Sequence, residues 1–155
     1  MSKDKSDSLQ KAKNYAFLLL KFRQRSTKEI SQRLKQKHFE DPVIKETIAF
    51  LKDHVFIDDA AFTRSWIDSR LKRPLGLRRI KEELRIKGID NNIIDSNINQ
   101  IKRNYSEEEV VSRIAADKLC KLKGIEPQKA KRRIFSYLLR RGFSPDIIND
   151  TLAQL

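Results

Sequence analysis

One pattern of seven large apolar residues occurs three times in this chain, with the same internal spacing each time. The three copies are Ile30, Leu34, Phe39, Val43, Ile44, Ile48 and Leu51; then Ile80, Leu84, Ile89, Ile93, Ile94, Ile98 and Ile101; then Ile134, Leu138, Phe143, Ile147, Ile148, Leu152 and Leu155. Successive copies are offset by 50 and by 54 residues. Self-similarity at such a period is typical of repeat proteins, whose units pack against their neighbours.

The spacing inside each copy is that of two consecutive α-helices. A residue that tolerates a left-handed backbone stands directly before the third apolar position, where it would end the first of the two helices: His38, Gly88 and Gly142. The second helix is predicted to begin with a capping side chain, twice followed by proline: Asp41-Pro42, Asp90 and Ser144-Pro145. For the earlier helix of the first copy, Ser26 and Glu29 form a capping box.

A further helix precedes each copy, so the repeating unit contains three helices. Its apolar face is predicted from Tyr15, Leu18, Leu19 and Phe22; from Phe62, Trp66 and Ile67; and from Val110, Val111, Ile114 and Leu119. The predicted fold class is therefore all-α, with three tandem three-helix repeats that form an elongated, curved modular protein. We predict a flexible N-terminus over residues 1–9 and repeats over residues 10–55, 56–105 and 106–155.

Composition supports a helical protein outside the membrane. The chain has only four glycines and four prolines, which argues against a turn-rich β protein. Its apolar runs are far shorter than the ~20 residues of a membrane span, and no signal peptide is evident at the N-terminus. The one cysteine, Cys120, is predicted to be a buried core thiol. These features indicate a reduced, cytoplasmic protein without membrane association.

No arrangement of residues in the sequence indicates catalysis. The two histidines, His38 and His54, have no third metal ligand nearby, and no glycine-rich phosphate loop occurs. The pair Asp58-Asp59 is better explained by capping of a helix N-terminus than by general acid–base chemistry. We therefore predict that the protein is not an enzyme and requires neither a cofactor nor a metal ion.

The formal net charge of +13 indicates a polyanionic partner. The segments 64–87 and 118–141 each contain nine Lys or Arg residues, against three acids and one acid respectively. The candidate residues for contact with nucleic acid or with a nucleoprotein filament are Arg70, Lys72, Arg73, Arg78, Arg79, Lys81, Arg85, Lys87, Lys131, Arg132, Arg133, Arg140 and Arg141. On an ideal helix Arg78, Lys81 and Arg85 share one stripe.

Two positions of the repeat are basic in all three copies: Lys28, Arg78 and Arg132 at the first, and Lys37, Lys87 and Arg141 at the second. The second position lies near a helix C-terminus, where a cation favours the helix dipole, so a structural role and a binding role remain open. The first lies near a helix N-terminus, where a cation is unfavourable, which favours contact with phosphates or an acidic partner. Tyr137 is an aromatic ring among arginines, and Trp66 is expected in the core.

Three blocks of the sequence resemble the RecX family, the bacterial regulators of the RecA recombinase. The first block is Ser26–Ile30 with Leu34 and Lys37–Phe39. The second is Phe56–Asp59 with Phe62, followed by Gly76, Ile80, Glu83-Leu84 and Lys87–Ile89. The third is Leu138–Phe143 with Ile147-Ile148. His38 and the turn Pro74–Gly76 depart from the family pattern and affect the expected turn geometry only.

No unpaired apolar face in the sequence demands a dimer, so we predict a monomer. The resemblance implies a curved, modular all-α protein that binds RecA–DNA filaments along their helical groove without chemistry of its own. It implies inhibition of RecA recombinase, ATPase and co-protease activity, and hence a role in DNA repair, recombination and the SOS response. Contacts with single- and double-stranded DNA would come from the basic faces. The alternatives are a general basic helical DNA-binding protein, of nucleoid or helix-turn-helix type, and a helical-repeat adaptor for an acidic protein.

Overall fold

A computed structural model describes residues 3–155 of the chain, and this part consists of nine α-helices without a strand. The helices are α1 (Lys3–Phe22), α2 (Thr27–Gln36), α3 (Asp41–Asp53), α4 (Asp59–Leu71), α5 (Leu77–Ile86), α6 (Asn91–Ile101), α7 (Glu107–Lys121), α8 (Pro127–Arg140) and α9 (Pro145–Ala153). The prediction of an all-α fold built from three-helix repeats is confirmed.

The helices belong to two compact units. The first consists of the chain up to Ser65 together with Leu84–Ile93, and the second consists of Trp66–Glu83 and Ile94–Leu155. In the first unit, α1, α2 and α3 pack on a buried core: Ala12, Ala16, Leu19, Ile30, Leu34, Val43, Ile44, Leu51 and Ile57. In the second unit, α7, α8 and α9 pack on another: Val111, Ala115, Ile134, Leu138, Phe143, Ile148 and Leu152.

The repeated apolar pattern marks residues that are buried or half-buried, with one exception. Leu155 is 47% exposed because α9 ends at Ala153, two residues before it. The left-handed residues predicted at the helix ends are also confirmed: φ is 65° at His38, 78° at Gly88 and 88° at Gly142. The hydrophobic pattern and the left-handed residues together set where each pair of helices turns.

The starts of the helices agree with the sequence only in part. Ser26 forms the predicted capping box, because its hydroxyl accepts from the Glu29 amide while the Glu29 carboxylate accepts from the Ser26 amide. Asp90 accepts a hydrogen bond from the Asn92 amide before α6. The capping role predicted for Asp41 is wrong, because the cap residue of α3 is Glu40, without a side-chain hydrogen bond. Ser144 precedes α9 but likewise caps it without a side-chain bond.

The first helix differs most from its prediction. It begins at Lys3, so residues 3–9 are helical, although residues 1–2 lie outside the described part and the predicted flexibility stays a prediction. Its buried face is Ala12, Ala16 and Leu19, whereas Leu18 is 51% and Phe22 76% exposed. The prediction wrongly placed Leu18 and Phe22 on the buried face and missed Ala12 and Ala16. It favoured large side chains over the small alanines that allow close packing of helices.

Cys120 is exposed on α7, so the prediction of a buried core thiol is wrong. The inward positions of α7 are Val111 and Ala115, with Ile114 and Leu119 packed beside them. Cys120 directly follows Leu119 and therefore lies about 100° farther round the helix.

Consecutive repeats meet through a pair of hydrogen bonds at corresponding positions, one to a carbonyl and one to a carboxylate, which we call a junction. At the first junction, the Ser26 hydroxyl donates to the Lys87 carbonyl (2.6 Å) and the Thr27 amide donates to Asp59 Oδ1 (2.8 Å). At the second, the Gly76 amide donates to the Arg141 carbonyl (2.9 Å), and the Leu77 amide donates to Glu107 Oε1 (2.8 Å). The N-terminus of one repeat's second helix is thereby satisfied by the next repeat.

Candidate nucleic-acid interface

A cleft of about 540 Å³ in the second unit is lined by more cations than any other kind of residue. Its walls come from the end of α7 and the outer face of α8. On α8 the buried residues Ala130, Ile134 and Leu138 recur every four positions, so the basic residues between them point outward. Six lining residues are Lys or Arg and none is acidic: Lys118, Lys121, Lys129, Arg132, Arg133 and Arg140.

These cations are not neutralised by the protein itself. Among residues 3–155, none of the six cleft cations forms an ion pair with a carboxylate. The Lys118 ammonium lies 3.6 Å from the centroid of the Tyr137 ring, and the Arg141 guanidinium lies 5.1 Å from it. Tyr137 therefore holds cations in place at the cleft, and it is half-buried rather than an exposed platform.

The second junction brings the part of the first basic segment that belongs to this unit, Trp66–Glu83, next to the second basic segment. The hydrogen bond from Gly76 to Arg141 joins the start of α5 to the end of α8. A Cβ on Gly142 would overlap the Arg79 side chain and backbone, which shows how closely the two helix ends approach. Arg78 and Arg79 lie at the start of α5, and Arg140 and Arg141 lie at the end of α8. The contact between these two helix ends therefore continues the basic surface from α8 onto α5.

Several predicted binding residues are engaged in ion pairs instead. Glu83 accepts hydrogen bonds from Arg70 (2.8 Å), from the Trp66 indole (3.0 Å) and from Arg79 (3.4 Å). The Arg70 guanidinium also lies 4.4 Å from the Trp66 ring. Lys81 is 3.8 Å from Asp95. These residues form a local network that orients α5, and their charge is partly compensated.

Lys87 and Lys28 belong to the first junction. The Lys87 ammonium donates to Glu29 (2.7 Å), and the Lys28 ammonium donates to the Ile86 carbonyl (3.2 Å). The Lys28 side chain also fills the space in which a Cβ of Gly88 would stand. The cation at this helix N-terminus therefore has a structural role in the first repeat.

Glu29 is the electrostatic centre of that junction. Burial alone would raise the pKa of its carboxyl, but hydrogen bonds from Arg23, Lys87 and the Ser26 amide lower the pKa to about 2. At the second junction the balance is reversed, because burial raises the pKa of Glu107 despite the hydrogen bond from the Leu77 amide. The first junction is thus the more strongly ionic of the two.

The remaining predicted residues are distributed over three surroundings. Lys72, Arg73 and Arg78 are exposed and form no ion pair within residues 3–155. Arg85 donates to Asn91 Oδ1 at 3.2 Å, and Lys131 is half-buried.

Lys118, Lys121 and Lys129 line the cleft although they were outside the predicted set. Their place in the second basic segment was the signal for them, but the sequence alone did not show that α7 and α8 face one cleft.

Residues 3–155 contain neither a cluster of metal-binding side chains nor a helix that could span a membrane. No group of three or more His, Cys, Asp or Glu side chains in this part could hold a metal ion. None of its helices has the length and apolar character needed to cross a membrane.

The fold and the surface define a class of protein, namely tandem three-helix repeats that carry unpaired cations on adjoining helices. The chain belongs to the RecX family of RecA regulators. The family's models for the first, second and third RecX three-helix domains match residues 12–51, 58–96 and 106–152.

Individual relatives agree with this assignment over nearly their whole length. The regulatory protein RecX of Chlorobium limicola is 30% identical over 149 residues, which cover 96% of this chain and 91% of that protein. The RecX of Prosthecochloris aestuarii is 32% identical over 97% of both chains. The crystal structure of RecX from Lactobacillus salivarius superimposes with a TM-score of 0.84 at 26% identity, covering 97% of both chains.

Proposed function

We propose that this protein binds RecA–DNA filaments without chemistry of its own and restrains RecA recombinase, ATPase and co-protease activity. In this proposal it acts as a cytoplasmic monomer in DNA repair, recombination and the SOS response. The observation that carries the DNA contact is the cleft between α7 and α8, which six cations line without an ion pair to a carboxylate within residues 3–155.

Unpaired cations are the ones that can bind phosphate effectively. A cation already paired with a carboxylate must break that pair, whereas an unpaired one exchanges only counterions and water. We therefore assign the main phosphate contacts to the cleft residues Arg132, Arg133 and Arg140, and to Arg78 on α5. Of the other predicted residues, Lys72, Arg73, Lys131 and Arg141 extend this surface, while Arg70, Arg79, Lys81, Arg85 and Lys87 contribute long-range attraction.

The test compares two triple variants with the same loss of charge. Lys121, Arg132 and Arg133 are replaced by alanine in the cleft variant, and the exposed residues Lys21, Lys35 and Lys45 are replaced in the control. Binding is measured over a range of salt concentrations, to RecA filaments on single-stranded DNA and to the same DNA without RecA.

We expect the cleft variant to lose affinity and its log–log salt slope to fall by about 2, since each lost contact with a single strand contributes about 0.7. The control should keep nearly the parental slope. Equal losses in both variants would show that net charge alone acts and would refute a localised interface. Equal affinity of the parent for filament and for bare DNA would favour a general DNA-binding protein instead.

A further inference from the structure

The two outer ends of the repeat series differ from the junctions inside it. At both junctions the first amide of a second helix, Thr27 or Leu77, donates to a carboxylate at the first residue of the next repeat's first helix, Asp59 or Glu107. A further repeat could dock after repeat 3 only on a free amide of this kind. A second copy of the chain would in addition have to present a carboxylate of this kind from its own repeat 1.

Repeat 3 has no such free amide. The buried residues Ala130, Ile134 and Leu138 of α8 correspond in spacing to Ser26, Ile30 and Leu34 of the first repeat. This register makes Lys131 the equivalent of Thr27. However, α8 begins four residues earlier, at Pro127, so the Lys131 amide lies inside the helix.

The additional turn of α8 is closed by its own cap. The Glu126 carboxylate accepts hydrogen bonds from the amides of Gln128 (2.9 Å) and Lys129 (2.8 Å). Pro127, at the first helical position, has no amide to donate. The donor groups that another repeat would bind are thus already satisfied within repeat 3.

Repeat 1 lacks the matching acceptor. The buried pair Ala12 and Ala16 of α1 has the same spacing as Val111 and Ala115 of α7. By this register Ser8 stands where Glu107 stands in repeat 3. Because α1 begins at Lys3, Ser8 lies in its second turn and carries no carboxylate.

The C-terminus of α2 nevertheless remains uncovered. Lys37 and His38 are exposed, whereas Lys87 and Arg141, which stand at the repeat position of Lys37, offer their carbonyls to a neighbouring repeat at the two junctions. Repeat 1 therefore presents part of the docking surface, at the C-terminus of α2. It lacks the carboxylate, and Ser8 lies inside α1 rather than at the start of a helix.

We propose that the additional helical turns at the start of α1 and at the start of α8 close the repeat series and prevent copies of this chain from joining head to tail. An open end of each kind would form a heterologous contact, which repeats without limit and builds fibres. Closed end repeats remove that hazard while the internal junctions stay intact. This inference is independent of the proposed action on RecA.

Each end is opened by a transplant that keeps the chain length. In the donor-open variant, residues 127–131 are replaced by the sequence of residues 73–77, which precedes and starts α5. In the acceptor-open variant, residues 5–8 are replaced by the sequence of residues 104–107, which precedes and starts α7. A control acceptor carries the same transplant with glutamine in place of its glutamate. Circular dichroism and cooperative thermal unfolding establish that each variant is folded.

Sedimentation velocity at about 100 μM detects complexes with a Kd as weak as roughly 100 μM. We expect the parent and each single variant to sediment as one unassociated species, and the mixture of donor-open and acceptor-open variants to form a 1:1 complex. The control acceptor should bind the donor at least tenfold more weakly. A folded mixture that does not associate would overturn the proposal. So would a donor-open variant that associates with itself, because the natural N-terminal end would then be open.

Discussion

Replacing Glu29 with glutamine should weaken the first junction by removing the charge on which three donors converge. The Glu29 side chain is only 11% exposed, and it accepts hydrogen bonds from Arg23, from Lys87 and from the Ser26 amide. Glutamine keeps an oxygen for the Ser26 amide, and the backbone amide of residue 29 still donates to the Ser26 hydroxyl, so both bonds of the capping box are preserved. The substitution thus isolates the two ionic contacts, one of which joins repeat 1 to repeat 2.

The pKa of Glu29 gives the size of the effect. A decrease from the ordinary 4.5 to about 2 corresponds to an upper bound of ~3 kcal/mol of stabilisation at neutral pH. Arg23 is 45% exposed, and solvent screening of its contact reduces the expected loss to about 1–2 kcal/mol. Because the folded-state pKa lies below the unfolded-state value, this contribution is complete above about pH 5 and disappears as the pH falls toward 2.

Urea unfolding followed by circular dichroism, at pH 7 and again near pH 2, measures this prediction. The exposed residue Glu46 on α3 forms no ion pair within residues 3–155. Its change to glutamine is the control, and it should alter the free energy of unfolding by less than about 0.5 kcal/mol. The reasoning is refuted if Glu29→Gln is as stable as the parent at pH 7. It is also refuted if the deficit at neutral pH persists in acid.

Two further predictions concern left-handed backbone positions, each measured as the free energy of unfolding in urea. Val55 has φ of 57° and is 72% exposed, so Val55→Gly should stabilise the protein by about 0.5–1 kcal/mol, because strain is relieved without loss of packing; a loss of stability would contradict this. Gly142→Ala should cost more than about 2 kcal/mol, since φ is 88° and the new Cβ would overlap Arg79. Gly124→Ala, also at φ 88° but with no atom within 4 Å of the new Cβ, should cost only about 1 kcal/mol; equal costs would show that α5 and α8 are not in close contact there.

The features that sequence predicted well are those set by neighbours along the chain. The apolar spacing gave the buried positions of the second and third helices of each repeat, and the residues His38, Gly88 and Gly142 marked helix ends correctly. Both depend on local geometry, since a helical row and a left-handed turn are defined within a few residues. Val55 escaped prediction because a β-branched residue gives no sign of a left-handed conformation.

The partners of the charged residues could not be predicted, because they depend on contacts between distant segments. Lys87 meets Glu29 across 58 positions of the sequence, and Arg70 meets Glu83 across 13. In the sequence these cations look equivalent to Arg132, which has no such partner in residues 3–155. A count of basic residues therefore locates the charged segments but does not show which of their side chains are ion-paired.

The repeat position occupied by Lys28, Arg78 and Arg132 shows why pairing matters more than charge. Lys28 donates to the Ile86 carbonyl and packs against Gly88, so its charge serves the first junction. Arg78 is exposed at the start of α5, where its charge is unfavourable to the helix dipole. Arg132 lies beyond the first turn of the longer α8 and faces the cleft, where the dipole exerts little cost.

Because salt screens exposed charges beyond about 8–10 Å, a phosphate responds mainly to cations that it can approach directly. Lys28 cannot leave its carbonyl without weakening a junction, whereas Arg78 and Arg132 can turn toward a ligand at no cost to the fold. Residues at the same position of the repeat therefore have different roles. Lys28 is structural, whereas Arg78 and Arg132 face solvent. The turn added to α8 contributes to the solvent-facing use in repeat 3, because Lys129 lies in it and lines the same cleft as Arg132.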